Sequence, residues 1–230
     1  MIKWRCLVLL IALPLFAQDD PYRPMGKLPV GDQLLTLPSS QMAPYGMWEI
    51  KFTHRFNQSL ANGSFADQVH SLFGLDTNAD VSFGVAYSIR PALQLSLSRS
   101  NTNDTLEGAA KYVVLQQAPS VPLTLTLRGG VDWRTERDVD DPTSLFAQAI
   151  LSRRIGSKAE VFLLPTLVTE AGRAVDGDAS VALFEHAFNV PIGVTYFLKP
   201  PLAIVAEIIP PNGDLPDATN GDFGWSIGIK

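Results

Sequence analysis

Apolar and polar residues alternate with a period of two along most of the chain after residue 46. The clearest example is VSFGVAYSI at 81–89, where large apolar residues at odd positions alternate with Ser, Gly and Ala. The stretch 92–100 repeats the pattern, with three leucines opposed to Gln and Ser. Because successive side chains of a strand point to opposite faces, the pattern predicts β-strands with one apolar and one polar face.

Ten strands of this kind are predicted, and most have 9 to 14 residues. That length suits a tilted membrane crossing, which takes about 9–11 residues. The predicted strands cover residues 47–57, 80–89, 92–100, 106–116, 121–134, 143–154, 158–169, 187–198, 201–210 and 223–230.

The predicted connections fall into two alternating classes. Those after the second, fourth, sixth and eighth strands have two to four residues and contain Pro or Gly. The others are longer, polar and mostly acidic, as in 135–142 and 170–186. Bacterial outer-membrane barrels combine short periplasmic turns with long external loops in this way. We therefore predict an all-β fold, an up-and-down antiparallel transmembrane β-barrel.

Soluble β-sandwiches also alternate, so the direction of the apolar face decides between two fold classes. Lipid outside is favoured by the connection asymmetry, by small or charged residues on the polar face, and by aromatic residues near strand ends, which resemble interfacial girdles. These aromatics are Trp48, Phe56, Tyr87, Tyr112, Trp133, Phe146, Tyr196, Phe223 and Trp225. The prediction requires the first strand to expose its apolar face.

The N-terminus has the features of a cleaved secretory signal. Lys3 and Arg5 precede an apolar run at 6–17 that ends in LFA, an acceptable cleavage site. We predict a signal peptide at 1–17, a periplasmic segment rich in Pro, Gly and Asp at 18–46, and the barrel domain at 47–230. The residues LLTL at 34–37 could pair with a strand or plug the barrel.

Composition excludes several classes of protein. The chain has a net charge of −5, and removal of Lys3 and Arg5 leaves 16 basic against 23 acidic residues, a net of −7. This acidity disfavours nucleic-acid binding. No segment after the signal has the 18 or more apolar residues of a spanning helix. Cys6 is the only cysteine and lies in the signal, so disulfides and thiol chemistry are not expected.

The sequence shows no set of residues typical of an active site. His54, His70 and His186 lack the spacing of metal ligands, and no phosphate-binding glycine loop occurs. His54 with Ser59 or Ser64 could form a hydrolase pair, but neither serine lies in a recognisable nucleophile motif. We therefore expect no enzyme activity, no cofactor and no metal.

The predicted polar faces carry a set of charged residues that would line the lumen. They could pair with one another and fill a narrow barrel, or form a charged constriction that selects small solutes. These residues are Glu49, Lys51, Arg55, Glu107, Lys111, Arg128, Asp132 and Arg134.

Several short motifs occur in an order that resembles a known family. They are HRF at 54–56, LFGLD at 72–76, SFGVAYSI at 82–89, SRS at 98–100 and AKY at 110–112. Together they resemble a family of bacterial outer-membrane β-barrel proteins of unknown function, from about residue 36 to the C-terminus. The resemblance implies a barrel and no activity, and its members continue to further strands. Because the chain stops at Lys230 inside a predicted strand, we expect a truncated barrel, of 12 strands when complete.

The sequence as a whole predicts a non-enzymatic protein of the Gram-negative outer membrane, porin-like or structural, with a narrow charged lumen. Its expected partners are outer-membrane lipid and the barrel-assembly machinery, with small solutes as further candidates. Two alternatives remain open at this point. One is an outer-membrane enzyme that modifies lipid, and the other is an exported soluble β-barrel that binds a small apolar ligand.

Overall fold

A computed structural model describes residues 31–56, 79–101, 104–135, 142–176, 179–199, 202–210 and 224–230. These residues form antiparallel strands of one sheet, which confirms the predicted all-β class. The strands are β1 (Trp48–Phe56), β2 (Ala79–Arg90), β3 (Leu93–Ser100), β4 (Thr105–Leu115), β5 (Thr124–Arg134), β6 (Thr143–Ile155), β7 (Ala159–Leu163), β8 (Thr166–Asp176), β9 (Ala179–Asn189), β10 (Ile192–Lys199), β11 (Leu202–Ile209) and β12 (Gly224–Ile229).

The described part of the sheet has twelve strands, whereas the sequence predicted ten, because prolines interrupt two of the predicted strands. Pro165 separates β7 from β8, and Pro191 separates β9 from β10. Proline has no backbone N–H to donate to a sheet, so it interrupts the ladder. β6 nevertheless pairs with both β7 and β8, and β7 pairs with β10. β7 and the start of β8 therefore cover one predicted strand, and the end of β9 and β10 cover another.

The prediction of a long polar connection at 170–186 is wrong. β8 and β9 pair from Thr166↔Asn189 to Asp176↔Ala179, so this stretch belongs to a long β-hairpin. Its sequence is rich in Ala, Gly and charged residues and alternates only weakly. The two strands complete each other's hydrogen bonds, and the periodicity of a single segment does not reveal such pairing. The other long predicted connections fall mainly in 57–78, 136–141 and 211–223, outside the described residues.

The faces of the sheet are inverted relative to a soluble protein. On β1, Trp48, Ile50 and Phe52 are 66%, 71% and 68% exposed. On the opposite face of the sheet, Thr126 and Thr195 are fully buried. Polar residues inside and large apolar residues outside are the reverse of the usual distribution, and they match the lipid-facing exterior of a membrane barrel. The first strand therefore exposes its apolar face, as the barrel prediction requires.

The inner face of the sheet encloses residues 31–46. These residues contact strands as distant in the sheet order as β2 and β11. β1 and β12 form the two ends of the strand order in the described part of the sheet. No helix among the described residues is long and apolar enough to cross a membrane.

Candidate functional site

Residues 31–46, here called the inner segment, form a compact loop inside the sheet. Gln33 forms a β-bridge with Pro38, and the Leu34 amide donates to the Leu37 carbonyl at 2.7 Å. The Ser39 amide donates to the Asp32 carbonyl at 2.8 Å. These internal bonds fix the shape of the loop. The amides and carbonyls near its tip that they do not use can bond to the sheet.

One buried carboxylate on β11 holds the tip of this loop. Glu207, which is 1% exposed, accepts hydrogen bonds from the backbone amides of Leu35, Thr36 and Leu37 at 2.7, 2.9 and 3.0 Å. It also accepts the hydroxyl hydrogen of Thr36 at 2.5 Å. Successive amides that converge on an anion form a nest, and hydrogen bonds to an ionised acceptor are stronger than neutral ones. Glu207 is therefore the main polar anchor of the inner segment.

Lysines from two other strands bind carbonyl groups of the same segment. The Lys111 ammonium on β4 donates to the Asp32 and Gln41 carbonyls at 3.2 and 3.0 Å. Lys230, which follows β12, donates to the Gln33 carbonyl and to the Leu34 carbonyl. The barrel thus supplies acceptors for the amides of the loop and donors for its carbonyls, as burial of polar backbone requires.

Asp32 adds an ion pair between the inner segment and β1. Its carboxylate lies 2.8 Å from the Lys51 ammonium and is 5% exposed. Burial opposes ionisation, but the charges of Lys111 and Lys51 and a hydrogen bond from Glu49 outweigh it, so the pKa of Asp32 lies below its ordinary value. The ionised form of Asp32 therefore stabilises the inner segment in its position inside the sheet.

Apolar contacts fix the same loop at the inner face. Leu34 and Leu37 are buried in a cluster on the inner face. The other buried members of the cluster are Ile150, Phe162, Leu164, Phe197, Ala203 and Val205. This part of the lumen is therefore filled by side chains, as in other small barrels.

Glycines on two strands make room for these leucines. A Cβ atom at Gly193 would lie 2.5 Å from Cδ1 of Leu34, and one at Gly228 would lie 2.8 Å from Cδ2 of Leu35. Both distances are far below ordinary van der Waals contact, so the close packing of the loop depends on glycine at these two positions.

The rest of the inner segment is attached to β2 and β6. The Ser40 and Ser152 hydroxyls are 2.8 Å apart. The Ser88 hydroxyl donates to the Ala43 carbonyl at 2.7 Å, and the Ser88 carbonyl accepts from the Gly46 amide at 2.9 Å. Gly46 has a φ of +75°, which turns the chain from the lumen into β1.

A cavity of about 180 Å³ remains beside the inner segment. Its floor includes Asp32 and Thr36 of the loop, and hydroxyl and charged groups of β1 to β5 form its walls. Ser82 and Ser98 mark its end nearest the long predicted connections, because they lie close to the corresponding ends of β2 and β3. This polar cavity, with the inner segment as its floor, is here called the vestibule.

The structure brings part of the predicted charged set together at this cavity. Lys51, Glu107, Lys111 and Arg128 line it, and Arg128 forms an ion pair with Glu107 at 2.6 Å. The remaining four residues lie elsewhere on β1 and β5. Their role in a lumen stays a prediction.

Those four residues have different surroundings. Glu49 hydrogen-bonds with Asp32. Asp132 is paired in register with Glu107, and both Asp132 and Arg134 are half-buried. Arg55 is paired in register with Asp80, but its side chain is outside the described part of the structure.

Sequence reasoning placed Lys51 and Lys111 on the inner face, but it missed three other residues whose contacts hold the inner segment. Glu207 lies between Ala206 and Ile208, on the opposite face from these apolar residues, so alternation could have placed it inside the barrel. Asp32 and Lys230 lie outside the strands and have no periodicity that could have indicated a role.

Two of the three histidines lie in the described part of the structure. His54 is exposed on β1, and His186 is exposed on β9 rather than in the predicted connection. His70 is outside the described residues. No group of three or more His, Cys, Asp or Glu residues in the described ranges could hold a metal ion.

Comparison with known proteins agrees with this architecture. No curated protein gives a significant match to the chain. The model of a family described as a membrane bound beta barrel domain, of unknown function, matches residues 31–230. The match begins at the inner segment, so the loop and the strands that enclose it fall within one conserved domain model. The chain belongs to this family of membrane bound β-barrel domains, DUF5777.

Proposed function

We propose that the protein is a non-enzymatic, porin-like barrel of the outer membrane whose narrow charged lumen is closed by its own inner segment. The carrying observation is the inner segment itself, which is bound through Glu207, Lys111, Lys230 and Lys51. A purely structural barrel needs no such set of ionised contacts, because apolar packing alone could fill its lumen. Contacts that depend on charge can be released without unfolding the strands.

The contacts of the segment give the proposed gate a direction. Ser88, Ser152 and Ala203 lie near the strand ends that are joined by short turns. Short turns face the periplasm in outer-membrane barrels. The inner segment would then close the periplasmic half, and the vestibule would open toward the outside. The same proposal includes export through a cleaved signal. It also includes insertion into outer-membrane lipid by the barrel-assembly machinery.

Ion conductance in planar bilayers tests the gate. The unmodified protein is expected to conduct little, and Glu207→Gln is expected to conduct more, because the amide cannot replace the ionised acceptor of three backbone N–H groups. Gly193→Val, which displaces Leu34 by bulk rather than by charge, should have the same effect. Variants are compared only when they show the heat-modifiable gel migration of a folded barrel.

A disulfide lock supplies the control. Ser40→Cys with Ser152→Cys joins two residues whose hydroxyls are 2.8 Å apart, which suits disulfide geometry. Added to Glu207→Gln, the oxidised pair should abolish the extra conductance, and a reductant should restore it. The channel part of the proposal fails if folded Glu207→Gln, folded Gly193→Val and a folded variant lacking residues 31–46 all conduct as little as the unmodified protein.

A further inference from the structure

One wall of the vestibule contains a buried hydrogen-bond donor without a partner. Gln94 is 2% exposed and lines the cavity, and its amide nitrogen has no hydrogen-bond partner among the described residues. A buried donor without a partner destabilises the folded protein. Ser96 and Ser98 add hydroxyl groups to the same wall. The partner that Gln94 lacks is a hydrogen-bond acceptor, whereas Oδ1 of Asp32 in the floor of the cavity lacks a donor.

Three of these polar residues form a row across neighbouring strands. In register, Gln94 on β3 pairs with Lys111 on β4, and Lys111 pairs with Arg128 on β5. Directly opposed residues of adjacent strands have Cβ atoms about 4.5–5.5 Å apart. The row therefore presents an amide, an ammonium and a guanidinium within reach of one small molecule.

The residues that line the cavity include three cationic and two anionic side chains. Lys51 is paired with Asp32, and Arg128 is paired with Glu107 and lies over the Phe146 ring at 4.5 Å. Lys111 forms no ion pair with any described carboxylate, and it bonds only to two carbonyls. An ammonium has three hydrogens to donate. One hydrogen of Lys111 remains for a ligand, while its charge also acts on the nearby Asp32 carboxylate.

We propose that this vestibule binds a small oxyanion, such as a short carboxylate or phosphate, at Gln94, Lys111 and Arg128. The cavity volume of about 180 Å³ is sufficient for a small anion such as acetate, lactate or phosphate. This inference names a solute class for the lumen described above, and it rests on the proposed function for its biological meaning.

Calorimetric titration of the full chain in detergent micelles tests the site without requiring conductance. The probes are acetate, lactate and phosphate at constant chloride concentration, with glycerol as the neutral control. Saturable binding is expected for at least one small oxyanion, and none for glycerol. The small anions that bind distinguish a carboxylate site from a phosphate site.

Gln94→Leu should weaken this binding roughly tenfold, since one hydrogen bond to a charged group is lost. Gln148→Leu is the matched control, because Gln148 is also a buried glutamine and is paired in register with Arg128, but it does not line the cavity. Absence of saturable binding by every small oxyanion, or equal weakening by both variants, overturns the site. Binding without conductance in any variant would retain the site and remove the channel.

Discussion

At the residue scale, ionised groups and apolar contacts together hold the inner segment against the inner face of the sheet. Glu207 binds amides of the inner segment, whereas Lys111 and Lys230 bind its carbonyls. Loss of one partner leaves buried groups unsatisfied, and each such group costs about 1–3 kcal/mol. The protonation state of Asp32 therefore bears directly on whether the segment stays docked.

Asp32 gives this dependence a direction that can be measured. Because its pKa is lowered in the folded protein, its contribution to docking is present above the ordinary value of 3.8 and is lost as the pH falls through the lower native value. Hydrogen exchange of residues 31–46 should therefore accelerate as the pH is lowered through this range, after correction for intrinsic rates.

Asp32→Asn isolates this effect from the other charged groups that face the segment, which are Glu49, Lys51, Lys111, Glu160, Glu207 and Lys230. The variant should show weaker protection at pH 7 and a smaller loss of protection below pH 4 than the unmodified protein. An identical acid profile in the two proteins would contradict the role assigned to Asp32.

At the scale of the strand, alternation decides which side chains meet lipid. The outward residues of β1 and their partners on β2 form apolar pairs such as Phe52↔Phe83, with both rings exposed. Phe52 is the central residue of the nine-residue β1. In a tilted crossing it would lie near the middle of the bilayer.

Phe52→Arg should therefore destabilise the barrel by about 2–4 kcal/mol in lipid, the cost of arginine at the bilayer midplane. Tyr45→Arg is the control, because Tyr45 is 64% exposed but precedes β1, and the cost falls to about 0–1 kcal/mol near the interface. Urea unfolding in liposomes measures both values. Equal stability of the two variants would contradict the assignment of this face to lipid.

At the scale of the whole molecule, the sheet and the inner segment form one unit. Leu35 and Glu207 are 172 positions apart in sequence, yet they are hydrogen-bonded. Strands near both ends of the chain therefore have to be in place before the loop can bind. This topology also makes the two halves of the described sheet different, since the loop fills one and the vestibule lies in the other.

The two ends should be distinguishable in intact cells. An epitope tag inserted between Asn62 and Gly63, in a long predicted connection, should be accessible to antibody from outside. The same tag at Gly156, in the short turn between β6 and β7, should become accessible only after the outer membrane is permeabilised. The reverse result would place the inner segment at the outer surface and overturn the proposed direction of the gate.

Strand alternation accounts for the part of the predicted charged set that the structure brings together at the vestibule. Lys51, Glu107, Lys111 and Arg128 were assigned to the inner face by their parity, and all four line the vestibule. The hairpin at 166–189 was missed because its residues alternate weakly and its order comes from pairing between strands. Gly193 and Gly228 carried a usable signal, since glycine in a strand marks a close approach of another group.

The sequence by itself determined the all-β class and which residues face lipid, because the period of two is a local property of each strand. It also indicated which charged residues face inward. Only the tertiary structure decided what occupies the interior. Leu34, Asp32 and Glu207 acquire their roles from contacts across the whole barrel, and no local pattern encodes a contact between residues so far apart in the chain.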